Sequence, residues 1–286
     1  MKNQKELLID HDAGFFSCCS VSLYEIIKFI KHNNCEPFSV NFSKTFDMYK
    51  PSYPKGIVSD KPTEGKFGFP KALSEYLRLK IRTDEDLYEE LFNYDNHVNL
   101  NINEIRNIDF SRGPRFTYTE ENPKELLGCI NKWFRPSIEI LKIKEYLIKK
   151  YNIKPEETIF CYYRGTDKYI EQNYIPAKSF SSLCTSVQTS LNIRRSLIQT
   201  DQEQIFKFLQ NSTQNPFRIK ENSMISGKEG CHFLLEKNRL LDLKYFFASI
   251  LIGASCKAVV CNTSNVSRWI HLYRMHSNNF HQILES

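Results

Sequence analysis

From residue 158 onward, short apolar runs alternate with segments of helical period. Thr158 to Tyr163 is an unbroken apolar run that predicts a strand buried on both faces. The pattern then predicts a helix over 176–191, a strand over 195–199, a helix over 202–210 and a strand over 216–220. A helix over 241–254, a strand over 258–261 and a closing helix over 265–274 follow. Strands that alternate with helices in this way specify a parallel sheet covered on both faces.

The first half is less regular. Leu7 to Asp10 predicts a strand, His11 to Gly14 a turn, and the apolar positions Val21, Tyr24, Ile27, Phe29 and Ile30 a helix running to about Lys31. Ser17 or Ser20 is the candidate cap, and 37–42 alternates like a second strand, completing a β-α-β order. Between Ser43 and Pro70 the periodicity dissolves into a loop rich in Pro, Gly and aromatic residues, which suits either stacking on sugar rings or packing on the domain. Helix is predicted over 84–92 and over 123–151, the latter broken near Pro136. The segment 152–156 is the candidate boundary. The expectation is therefore an α/β protein of two Rossmann-like halves facing a cleft, with domains 1–152 and 153–286.

Composition narrows the partners. The chain has 286 residues, with 39 basic and 33 acidic side chains and a net charge of +6. That excess suits an anionic ligand but is too mild and dispersed for nucleic acid. Nine cysteines, an odd number with several inside apolar runs, fit reduced buried thiols rather than a disulfide framework. No Cys-x-x-Cys occurs, and Cys231-His232 lacks a second pair at zinc-ligand spacing. The N-terminus does not read as a signal peptide, and the most apolar later stretch, 245–254, is too short for a bilayer. A soluble, cytoplasmic protein with no membrane span and no metal is expected.

The chemistry gathers where the predicted strands of the second half end. The first ends at Arg164-Gly-Thr-Asp-Lys168, the second at Gln199-Thr-Asp201, and the third at Asn262-Thr-Ser-Asn-Val-Ser267. In a parallel sheet these ends share one edge, the edge where open α/β sheets bind ligands. Arg164 offers bidentate hydrogen bonds to phosphate oxygens and Lys168 a mobile point charge. Ser264 and Asn265 open a helix, whose N-terminal N–H groups favour a phosphate. Asp201 or Asp242 is placed to hold ribose hydroxyls or a base edge. The plainer alternatives are Asp201 and Ser264 as helix caps, Arg164 paired with Asp167, and Asn262 as a turn residue. Trp133 and Trp269 fall in helical contexts and read as core.

Tyr163-Arg-Gly-Thr-Asp-Lys168 resembles the phosphate-binding motif of the α1,6-fucosyltransferase and protein O-fucosyltransferase superfamily, matching at Arg164, Asp167 and Lys168. It departs at Gly165, where many members carry a second arginine, and at Tyr162, where they carry histidine. Gln199-Thr-Asp201 is similar to the family's Ala-Thr-Asp-Asp, with Gln202 in place of the second aspartate. Asp242 and the run through Thr263, Ser264 and Asn265 resemble the family's aspartate and its Thr/Ser-rich phosphate loop. The stretch around His232 resembles a segment that lines the nucleotide. The resemblance covers 160–274. It implies the two-Rossmann glycosyltransferase-B (GT-B) fold and an inverting, metal-independent sugar transfer. The donor would be a GDP- or UDP-sugar (fucose by default, xylose as an alternative) and the acceptor a glycan hydroxyl, with no further cofactor. Relatives place a glutamate shortly after the motif lysine. Glu171 lies one residue off that position, and Asp12 and His11 in the first turn are the rival general bases. Two other readings stay open: a non-catalytic nucleotide-sugar or glycan-binding module, and a metal-dependent transferase using Asp10 and Asp12 as a D-x-D pair. No GxGxxG or P-loop supports a dehydrogenase or phosphotransferase.

Overall fold

A computed structural model describes residues 6–11, 13–46, 87–111, 122–165, 175–224 and 239–284. The first half opens with β1 (Glu6–His11), α1 (Phe15–Asn33) and β2 (Ser39–Thr45), and β1 pairs with β2 in parallel. The predicted β-α-β order is therefore present. Next come α2 (Tyr88–Leu91), β3 (Phe92–Asn93), α3 (Ile102–Asn107) and α4 (Pro123–Trp133). β4 (Arg135–Pro136) pairs antiparallel with β3, and α5 (Ile138–Lys150) follows. The helix predicted over 123–151 breaks at Pro136 as its missing N–H requires. The Ser137 hydroxyl then restarts it by accepting the N–H of Ile140 at 3.4 Å. The predicted helix over 84–92 is short, because Phe92 already turns into β3.

The second half is β5 (Thr158–Tyr163), α6 (Ala177–Ser190), β6 (Arg195–Thr200), α7 (Glu203–Ser212), β7 (Pro216–Phe217), α8 (Arg239–Ser255), β8 (Ala258–Asn262), α9 (Asn265–Arg274) and β9 (Phe280–Ile283). Its five strands form one parallel sheet in the order β7-β6-β5-β8-β9. The chain first winds from β5 outward through β6 to β7, then returns to lay β8 against the other side of β5. The order reverses between β5 and β8, which puts the topological switch point at the C-terminal ends of these two strands.

Alternation along β5 sorts its side chains between two layers. Ile159, Cys161 and Tyr163 join Phe180, Cys184 and Val187 of α6 and Ile205 and Leu209 of α7. Phe160 and Tyr162 join the opposite core with Phe247 and Ala248 of α8 and Trp269 of α9. That second core continues without a break into α1, α4 and α5, so both halves share it. Trp269 donates its indole N–H to Ser20 Oγ of α1 at 3.0 Å. Lys244 of α8 reaches Glu139 of α5 and Glu90 of α2 at 2.5 Å each.

Left-handed turns are mostly asparagine in this glycine-poor chain. Asn34, Asn152, Asn192, Asn215 and Asn279 all have positive φ, and Asn34 ends α1 by giving its N–H to Ile30 O at 2.9 Å.

Candidate active site

The β5–β8 switch point is held shut by one side chain. Asn262, at the end of β8, accepts the Arg164 backbone N–H on Oδ1 at 2.9 Å and donates Nδ2–H to the Arg164 carbonyl at 2.7 Å. A single amide thus satisfies both backbone groups of Arg164 just where β5 leaves the sheet. Asn262 is thus a clamp on the Arg164 backbone.

The Arg164 side chain is fixed next. Its Nε lies 3.1 Å from Asp201 Oδ2, and Asp201 Oδ1 accepts the Gly165 N–H at 3.0 Å. Both groups are shielded, with side-chain exposures of 18% and 11%, so the pair is stronger than a surface ion pair. Asp201 therefore orients the guanidinium, and the alternative partner Asp167 lies outside the described residues. Thr200 shapes the turn that presents Asp201. It is buried, and its hydroxyl accepts the Gln202 N–H at 3.2 Å.

Gly165 sits in a crowded spot. A Cβ there would overlap Gln202 Oε1 and sit 2.9 Å from the Tyr163 ring. The two departures from the family pattern, Gly165 and Gln202, thus fall on one contact. An arginine at 165 needs the Gln202 side chain to move away.

On the β8 side, Ser264 caps α9 by accepting the Ser267 N–H at 3.0 Å. Thr263 is buried and accepts Gln282 Nε2–H at 2.7 Å, which ties β9 to the loop. Asn265 begins α9 with a buried Oδ1 that has no hydrogen-bond partner among the described residues. Tyr162 of β5 is buried beneath this layer. Burial pushes its phenol well above the ordinary tyrosine range, so it stays protonated.

Asp242 stands in the first turn of α8. A helix linking parallel strands starts at the sheet's C-terminal edge, so Asp242 belongs to the same edge as Arg164. Two turns further along, Ser249 meets Asn222 at 2.8 Å, and Asn222 also donates to Gln199 of β6 at 2.6 Å. Asp242 is half-buried, and burial raises its carboxyl above the usual aspartate range. Among the described residues, Asp242 is a second carboxylate on this edge, beside the Asp201 engaged by Arg164.

The structure thus brings together Arg164, Thr200, Asp201, Thr263, Ser264 and Asn265, with Asp242 on the same edge. Asp12, Thr166, Asp167, Lys168, Glu171 and His232 lie outside the described residues. Asp10 of the D-x-D pair is partly exposed and lies 3.9 Å from Lys44. His11 Nε2 is 3.3 Å from Ser17 Oγ. No helix among the described residues is long and apolar enough to cross a membrane.

No model of a known protein family matches the chain, and no curated protein matches it.

Proposed function

We propose that this edge binds the diphosphate of a nucleotide sugar, and that the protein is an inverting, metal-independent glycosyltransferase of the two-Rossmann GT-B type. The observation that carries the reading is Arg164, seated at the topological switch point with its backbone clamped by Asn262 and its guanidinium aimed by Asp201, next to the N-terminus of α9. Switch point, oriented arginine and helix N-terminus are three independent features that favour the same anionic group. The motif resemblance adds the reaction class.

In this reading the acceptor hydroxyl attacks the anomeric carbon as the bond to the diphosphate breaks. Negative charge grows on the leaving oxygen, and Arg164 with the α9 N-terminus stabilises it more than in the ground state. Lys168 adds a second cation. The acceptor proton passes to a carboxylate, Glu171 or Asp12. Asp242 holds ribose or base. The donor carries guanine or uracil, and the sugar is fucose or a relative such as xylose.

The test is a thermal-shift screen of nucleoside diphosphates and nucleotide sugars with and without EDTA, followed by donor-hydrolysis and transfer assays. One nucleoside diphosphate should stabilise the protein regardless of EDTA, and Arg164→Ala should lower turnover by roughly 10²–10³-fold, as expected for removing a donor to developing charge. Strict dependence on a divalent metal, or binding without turnover on any acceptor, would refute the reading.

A further inference from the structure

The helix that carries Asp242 is gripped on two sides. On one side stands Lys244, which is buried and holds its ammonium 2.5 Å from Glu90 of α2 and 2.5 Å from Glu139 of α5. Those two carboxylates arrive as a tied pair. Ser137, the cap of α5, donates its hydroxyl to the Glu90 carbonyl and its N–H to the Leu91 carbonyl, each at 3.0 Å. Glu139 lies in the first turn of α5, where the helix dipole favours a negative charge. One ammonium, with three donors, therefore joins α8 to two elements of the first half. On the other side, Ser249 of α8 accepts from Asn222 at 2.8 Å, and Asn222 donates to Gln199 of β6 at 2.6 Å.

The helical period relates both grips to Asp242. Seven residues bring the spiral back to within about 20°, so Asp242 shares the stripe of Ser249 and lies on the β6 side of α8. Two residues turn it by about 200°, which sets Lys244 on the opposite side, toward the first half. The Lys244 charge is directed at Glu90 and Glu139, and burial alone raises the Asp242 carboxyl. Asp242 stands in the first turn of α8, the part of a helix with the fewest internal hydrogen bonds and the first to fray. Lys244 is the fixing point one step behind it. Burying an ammonium is a poor way to gain stability, because an apolar contact of similar size does as well. What the clasp supplies is a fixed setting of the helix end. We propose that Lys244 is a positioning residue for nucleoside recognition: by clasping the start of α8 to Glu90 and Glu139, it sets the height and roll of Asp242 against the ligand's ribose or base. This rests on the diphosphate reading above, with Asp242 as the nucleoside contact. The first half thereby takes part in choosing the nucleoside of the donor.

The experiment is calorimetric titration of inorganic pyrophosphate, GDP and UDP into the full chain. The wild type should bind one nucleotide more tightly than pyrophosphate. Asp242→Asn should weaken that nucleotide about tenfold and pyrophosphate less than about threefold, as for the loss of one charge-assisted hydrogen bond. Lys244→Met keeps the stem, removes the charge and should show the same selective loss. Glu90→Gln combined with Glu139→Gln opens the clasp from the first-half side and should do likewise. Lys244→Arg, whose fork also meets carboxylates, should recover most of the affinity. Adding Lys244→Met to Asp242→Asn should cost little more than Asp242→Asn alone, because both act on one contact. A purely structural role would weaken pyrophosphate and nucleotide alike, together with the melting temperature, and that result overturns the proposal. An unchanged nucleotide preference in Lys244→Met or in Asp242→Asn also overturns it and leaves the diphosphate site standing, as does equal affinity of the wild type for all three probes. Failure of the wild type to bind any of them overturns the diphosphate reading as well. If Lys244→Met does not fold, the double glutamine variant decides: an unchanged preference sinks the proposal.

Discussion

At the scale of single residues, the buried polar side chains are held in ways that predict their response to pH. His271 of α9 is fully buried, with Nε2 2.9 Å from Ser277 Oγ and Nδ1 without a partner among the described residues. Burial, then the charges of Arg274 and His276, lower its pKa from 6.5 to about 4. The unfolded chain therefore takes up this proton first as pH falls. The contribution to stability is complete above about pH 7 and is lost progressively between about 6.5 and 4, reaching on the order of 3 kcal/mol at the lower end. Urea unfolding at about pH 7.5 and pH 4.5 checks this: the drop should shrink in His271→Gln relative to the wild type. An equal drop in both proteins would rule it out. Arg274, one turn on, shows how a buried cation is accommodated without a carboxylate. Its guanidinium donates to the carbonyls of Ala254, Cys256, Lys257 and Asn278, and so pins the end of α9 to the turn between α8 and β8. A lysine cannot reproduce that fork.

Among elements, the contact between α8 and β5 is the least forgiving. A Cβ on Gly253 would run into the Phe160 ring, 2.7 Å from its Cγ, and Phe160 is itself fully buried. Ring and helix are packed on every side, so neither can yield cheaply. Gly253→Ala should cost about 1–3 kcal/mol despite its better helix propensity, measured as a lower urea midpoint at unchanged slope. β5 was legible because its run is apolar on both faces, and Thr158–Tyr163 is both the predicted and the observed span. α9 was legible at both ends, because Ser264 is a strong capping residue at its start. β9 left no comparable trace: only Phe280 and Ile283 are apolar, and the strand exists because β8 offers it an edge. α3, likewise unannounced, is one short helix capped by Asn101.

For the whole molecule, the order of the sheet converts three separate sequence signals into one site. The polar strand ends could be read from the chain, and so could their common edge. What could not be read was the division of labour along it: Asp201 orients Arg164 and Asn262 clamps its backbone. Those assignments depend on which strands are neighbours and on hydrogen-bond distances of about 3 Å, which no spacing in sequence encodes. The first half was harder because β3 and β4 are two residues each, too short to leave a periodicity. The continuous core does settle the thiols. Eight cysteines are described, all are free, and seven are buried. Burial pushes Cys129, Cys256 and Cys261 up to about 12, which leaves almost no thiolate at neutral pH. Cys35, just past the end of α1, is the exposed one. Among the described cysteines, a maleimide should thus modify Cys35 first, with the others reacting only after denaturant is added, as peptide mass mapping would show. Faster modification of any of the buried seven in the native protein would contradict the packing. The same thiol gives a natural attachment point for a fluorophore, through which ligand-induced motion of the first half can be watched without engineering a new cysteine.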